Sequence, residues 1–250
     1  MTGIVIPDGG TIGSASDPDA LAISSSGILT MASGNGYRLN SIQTFNTAGS
    51  NTWTKPTNIT AVLVYVTGAG GGGGGPGTGD DSGGGGGAGG TAIKWITSGL
   101  GSTETVTIGT GGQGAGTDDS YTGQQTNGTQ GGTSSFGSHC SATGGTGGLH
   151  GNSGDATGGV GGVGSNGTIN LRGDDGFRGQ DSSLDWNWTG HGGSSFWGGS
   201  GDVNQYRQTN SGSEHGSGGG GGSIHNDGAG NVEKGANGAG GFVVVWEYIG

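Results

Sequence analysis

Glycines recurring at intervals close to three residues limit what this chain can fold into more than any other feature. Clusters stand at Gly70–Gly75, Gly83–Gly87, Gly144-Gly145, Gly147-Gly148, Gly158-Gly159, Gly161-Gly162, Gly192-Gly193, Gly198-Gly199 and Gly218–Gly222. The 250 residues include 71 Gly, with only 27% apolar and 10% charged, against an average of about 7% Gly. In a regular element each Gly costs roughly 0.5–1 kcal/mol relative to Ala, because its backbone loses more freedom on folding. Such a composition without a strict period ordinarily reads as disorder. Order therefore requires a compensation: backbone-to-backbone packing that only Gly permits, or burial between subunits. An extended helix with three residues per turn places every third residue on one edge. Gly at that edge lets neighbouring helices approach and bond through their peptides. Parallel stacking of polyglycine-type helices, with many interchain peptide bonds, is the expected solution. Collagen is excluded, since the interval breaks repeatedly and only 4 Pro occur.

The β-branched residues concentrate in four runs. Ile59–Val66 is apolar on both faces and reads as a buried central strand. Phe242–Ile249 is its counterpart at the far end, with Ala92–Ile96 and Glu104–Ile108 between. The expected fold class is mainly β: a strand domain with a large glycine-rich insertion of stacked polyglycine-type helices and little or no α-helix. Strands are expected near 59–67, 91–97, 103–108 and 242–249. Residues 1–50 read as an N-terminal β-rich attachment and trimerisation segment, and 51–250 as the glycine-rich domain. Within the first, Leu21–Ser24 and Ile28–Met31 flank Ser25-Ser26-Gly27 as a hairpin. Asp17-Pro18-Asp19 reads as a turn. Apolar residues spaced so thinly imply a core shared between subunits, hence a homotrimer.

A formal charge of −11 and the lack of clustered Lys and Arg argue against nucleic acid and anionic membranes as partners. The single cysteine, Cys140, allows no intrachain disulfide, and its neighbour His139 reads as chance rather than a catalytic pairing. The opening Met1–Asp8 shows no basic and apolar signal pattern, so neither secretion signal nor transmembrane span is expected.

Motifs for chemistry are weak. Gly70–Gly75 follows a strand, but no helix or Lys-Ser/Thr follows as a phosphate loop needs. The acidic pairs Asp80-Asp81, Asp118-Asp119 and Asp174-Asp175 and the near-repeat Gly111–Gly116 lack calcium spacing and read as solvated turns. The histidines 139, 150, 191, 215 and 225 have no zinc spacing. No catalytic residue, cofactor or metal is expected.

One stretch stands apart. Three of the six tryptophans fall within twelve residues, Trp186, Trp188 and Trp197, among polar donors. Indole faces with Asn, Asp and Arg suit sugar rings or protein loops. Asp185, Trp186, Trp188, Trp197, Tyr206 and Arg207 are the candidate binding residues. The competing expectation is that these aromatics lid the Gly helices as a small core.

From Trp53-Thr54-Lys55-Pro56 through Ile59-Thr60-Ala61-Val62 to Val66-Thr67-Gly68-Ala69-Gly70 and the glycines after it, the chain resembles the glycine-rich domain of bacteriophage tail fibres. Thr105–Gly112, Gly131–Gly137 and the closing Gly-Ala-Gly-Gly before the last strand are similar. The resemblance covers about residues 45–250. It implies a homotrimeric tail-fibre structural protein of the virion that helps recognise a bacterial surface glycan or outer-membrane protein. It also implies contacts with other tail proteins and assembly in the host cytoplasm. Some fibre adhesins of this kind stack polyglycine helices and bind through distal loops; this chain departs from them in its strand-rich N-terminal segment. The alternatives are a structural fibre connector without a receptor site, a Gly-rich ice-binding protein, and a polysaccharide depolymerase. The ice-binding type wants strict periodicity and disulfides, and the depolymerase paired carboxylates on a long β-helix.

Overall fold

Two five-stranded antiparallel sheets carry the polyglycine segments in a computed structural model of the chain. The described residues are 11–14, 17–23, 29–31, 37–77, 81–116, 126–152, 155–180, 188–201, 203–204, 208–225 and 231–250. The first sheet runs Ile169–Leu171, Thr91–Ile96, Ala61–Thr67, Phe242–Ile249, Arg38–Phe45. The second runs Gly164–Ser165, Cys140–Ala142, Ser134–Phe136, Thr103–Ile108, Gly49–Thr54. No α-helix occurs among the described residues. The fold is therefore all-β, with the expected strands at 61–67, 91–96, 103–108 and 242–249.

Period-two alternation builds the core between the sheets. Val62, Val64 and Val66 meet Val243 and Val245 from one side, and Trp53, Val106, Ile108, Phe136 and Cys140 from the other. Strand Ala61–Thr67 is central in its sheet, yet only one face is fully covered. Leu63 and Tyr65 point the other way and stay half-buried. Strand Arg38–Phe45, from the stretch assigned by sequence to the N-terminal segment, pairs along Phe242–Ile249 from Phe45 opposite Val243 to Arg38 opposite Ile249.

Strands Ala61–Thr67, Thr91–Ile96, Cys140–Ala142 and Phe242–Ile249 adjoin polyglycine segments without losing register. Val62 pairs with Ile96 and Thr67 with Thr91. Beyond them Gly68, Gly71 and Gly74 donate to the carbonyls of Gly90, Gly87 and Gly84, at 3.0, 2.9 and 2.8 Å. The numbers of the paired residues keep one sum throughout, and only the interval changes, from two to three. The same continuation links Phe242 opposite Thr67 to Ala239 opposite Gly70, and Ser141 opposite Ser165 to Thr143 opposite Val163. The apolar core between the sheets gives way to peptide hydrogen bonds between the same two layers.

Segment 83–90 shows how the bonds are shared. Gly83, Gly86 and Gly89 donate to segment 216–222, Gly84, Gly87 and Gly90 to 143–149, and Gly85 and Ala88 to 174–177. Its carbonyls accept from segments 68–74, 159–162 and 190–193. Three neighbours receive its N–H groups and three others donate, the pattern of a helix with three residues per turn in a hexagonal array. Segment 68–75 is enclosed likewise, donating to 84–90, 126–132 and 236–239, and accepting from 112–115, 145–151 and 219–222. A net backbone hydrogen bond contributes about 0.5–1.5 kcal/mol, enough to offset the roughly 0.5–1 kcal/mol that each glycine costs.

The close approach is what demands glycine. A Cβ on Gly85 would stand 1.9 Å from the His191 carbonyl oxygen, and one on Gly72 2.0 Å from that of Gln113. Outer segments meet an opposite problem, N–H groups with no segment beyond them. Side chains at three-residue intervals satisfy these: Thr146 Oγ1 accepts from Val160 N–H at 2.6 Å, Asp175 Oδ1 from Gly161 at 2.7 Å and Asn237 Oδ1 from Gly114 at 2.8 Å.

Three expectations need correction. The bonds between polyglycine segments run within one chain, and the neighbours are antiparallel as well as parallel, because strand hairpins feed the segments. Gly111–Gly116 and Asp174-Asp175 lie in bundle segments rather than solvated turns: Gly112 and Ala115 donate to Gly70 and Gly73, and the Asp174 carbonyl accepts from Ala88. Asp17-Pro18-Asp19 opens a strand, Asp17–Ile23. Pro18 lies where the register with Thr11–Ser14 slips, which suits a residue with no N–H for the ladder. That strand also pairs with Leu29–Met31, Leu21 opposite Met31, as the two strands of the expected hairpin.

Candidate binding surface

The bundle has two unlike ends. At one, the segments run into the sheets. At the other, described residues flanking the intervals 78–80, 117–125, 153–154, 181–187 and 226–230 stand together. Gly75 donates to Thr126 and accepts from Gly151, Ser82 bridges to Ser223, and Gln180 N–H donates to the Trp188 carbonyl at 2.8 Å.

Trp188 lies at this remote end with 51% of its surface exposed, and exposed Phe177 lies on the neighbouring segment, where its N–H donates to the His191 carbonyl. Asp185, Trp186, Tyr206 and Arg207 lie outside the described residues. Beside this end a cavity of about 340 Å³ opens between segments 155–160 and 175–178, lined by Asp155, Thr157, Val160, Asp175 and Arg178. Arg178 pairs with Asp155 at 3.0 Å, and Arg172 with Asp175 at 2.5 Å.

Trp197 occupies the opposite end. Its indole N–H donates to Thr67 Oγ1 at 2.8 Å, and its ring meets Phe196, Phe242 and Tyr65 at 5.0, 5.2 and 6.0 Å. His215 stacks on Phe242 at 4.2 Å. Segment 188–194 separates the two tryptophans by roughly 20 Å at ~3.1 Å per residue. The structure therefore does not bring Trp188 and Trp197 into one patch. An internal echo in the sequence carried the signal for this. Gly132–Gly137 and Gly193–Gly198 share a Ser-Ser-Phe core, and both lie where a polyglycine segment reaches the sandwich. Phe136 enters the core there, and Phe196 with Trp197 covers the outer face.

A family model of a glycine-rich domain matches residues 44–248. The chain belongs to the glycine-rich domain family. No curated protein matches it. The matched stretch of this glycine-rich domain begins inside strand Arg38–Phe45 and ends in Phe242–Ile249, two paired neighbours. It thus includes nearly all of both sheets and the bundle.

Two further groups of the glycine-rich domain, Cys140 and His139, are held in structural contacts. Cys140 is buried, and desolvation raises its thiol from 9.0 to about 11, with nearby Lys94 opposing. His139 lies 3.3 Å from Glu104. Among the described residues, no group of three or more His, Cys, Asp or Glu could hold a metal ion.

Proposed function

We propose that this chain is a structural and host-binding component of a bacteriophage tail fibre, carried on the virion as a homotrimer and without catalytic activity. One observation carries the reading. Polyglycine segments 68–75 and 83–90 are each held by peptide bonds to six neighbours, and the described residues beside the most polar and aromatic intervals stand together at the remote end of this frame. Those intervals include Thr117–Gln125 and Asp181–Asn187. A rigid scaffold presenting chemically varied connections at one end is a common arrangement for recognition. Trp188 stands exposed at that end, and an indole offers large contact area at low entropic cost.

In this reading the receptor is a bacterial surface glycan or an outer-membrane protein loop, and the sheet end faces the other tail proteins. The test is binding of the purified full chain to a panel of bacterial cells, with Trp186 and Trp188 replaced together by Ala. A host-specific signal that falls more than about tenfold in the double variant, a 1.4 kcal/mol effect, supports the reading. Absence of binding to every candidate host leaves a fibre connector instead.

A further inference from the structure

The first sheet has an outer face that the chain covers only in part. Near the bundle, Phe196 and Trp197 lie over Tyr65, and Trp197 with His215 over Phe242. Farther from the bundle the cover stops. There Ile42, Trp246, Leu63 and Trp95 form one unbroken row across four neighbouring strands. Leu39 opposite Tyr248 extends it, and Trp95 meets Tyr37 and Tyr248 edge-on at 5.1 and 5.0 Å. Tyr37, Leu39, Ile42 and Trp95 are 50, 46, 47 and 36% exposed. Contiguous apolar surface of this kind marks an interaction site.

We propose that this open face is the surface through which copies of the chain pack on one another. The inference rests on the homotrimer reading and names its interface. Charge is the first argument. Copies carrying −11 each repel one another, and the row presents only uncharged side chains. Continuity is the second. Tyr37 is where the chain enters the face from its N-terminal part, and Met31 lies six residues earlier, at most roughly 20 Å of chain away. Strands Thr11–Ser14, Asp17–Ile23 and Leu29–Met31 pair only with each other among the described strands, and Ile12 is 48% exposed. A single layer of three short strands needs a second layer to bury its apolar side chains. When copies supply that layer for one another, the short connection holds their open faces at high effective concentration. A three-fold ring is built from head-to-tail contacts, so on each copy this face packs against a different patch of its neighbour.

The test uses full-length chains carrying Ile42→Cys, Leu39→Cys or Val160→Cys. Cys140 is the sole native thiol and is buried. Ile42 and Val160 are almost equally exposed within one chain, 47 and 51%, so an isolated subunit would label at similar rates at both positions. Maleimide labelling is expected to be at least tenfold slower at positions 42 and 39 than at 160, with a trimeric mass in light scattering. A trimeric mass with equal labelling overturns the interface and leaves the trimer standing. A monomeric mass with equal labelling overturns both. A monomeric mass with positions 42 and 39 protected assigns the cover to the chain's own N-terminal segment and likewise overturns the proposal.

Discussion

Trp53 donates its indole N–H to the Glu247 carboxylate at 2.7 Å, and both side chains are fully buried. The pair joins Phe242–Ile249 in the first sheet to Gly49–Thr54 at one edge of the second. Ser41 Oγ and Gln43 Nε2 donate to the same carboxylate, the latter at 2.6 Å. One acidic residue inside an otherwise apolar core thus ties its own strand to Arg38–Phe45 and Gly49–Thr54, two consecutive strands at the far end of the sequence.

Removing that acceptor is expected to be costly. Glu247→Leu leaves the buried Trp53 N–H without a partner, and an orphaned buried donor costs about 1–3 kcal/mol. With Ser41 and Gln43 also released, chemical denaturation should show a loss of roughly 2–4 kcal/mol. Glu247→Gln keeps an acceptor and should lose less. Equal stability of wild type and the Leu variant would show the pair to be incidental.

Glycine replacement should separate close-packed positions from free ones. Gly85→Ala and Gly161→Ala would each place a Cβ 1.9 Å from a backbone oxygen. Overpacking of this sort costs about 1–3 kcal/mol or more, so both melting temperatures should fall clearly. Gly240→Ala meets its nearest backbone oxygen at 3.8 Å and should be neutral or slightly stabilising. Uniform tolerance at all three positions would mean that the segments are loosely held.

Strand positions could be read from the sequence because Val62–Val66 and Val243–Val245 concentrate β-branched residues. Polyglycine stacking could be read from the three-residue interval. The direction and partners of each segment could not, because glycine has no side chain to record which neighbour it faces. Strand Arg38–Phe45 was not singled out, since an edge strand with one face open carries polar residues such as Asn40 and Gln43. Nothing in the sequence marks Glu247 for burial, and its three converging donors explain it. Of the candidate receptor residues, Trp188 and Trp197 stand at opposite ends of one segment, a separation that sequence proximity conceals.

High pH should weaken the fold through Cys140. Burial raises its thiol from 9.0 to about 11, so the folded state favours the protonated form. Its contribution is fully present below pH 9 and is lost as pH rises toward 11, by roughly 3 kcal/mol at most. Because Tyr and Lys titrate in the same range, the measurement is the difference between wild type and Cys140→Ala across pH 8–11. That difference should shrink or reverse as pH rises. A constant difference would place the thiol's titration outside this window.

Trp188 and Trp197 should respond oppositely to truncation. Trp197 donates to Thr67 Oγ1 and contacts three aromatic rings that cap the outer face of the first sheet. Trp197→Ala removes those contacts and leaves a cavity beside Phe242, which for a large aromatic costs about 3–5 kcal/mol when fully buried. Half-burial lowers the expectation to roughly 2 kcal/mol, visible in thermal unfolding. Trp188 is 51% exposed, and its backbone carbonyl accepts from Gln180 N–H. Trp188→Ala should therefore change stability by no more than about 0.5 kcal/mol. If the remote end recognises a host, the same substitution should weaken cell binding. Exposed Phe177 gives the companion variant, since a contact surface at that end should register both losses. A Trp188→Ala protein that unfolds early would assign this ring to the frame. One that stays folded and binds as well as wild type would remove it from the receptor surface.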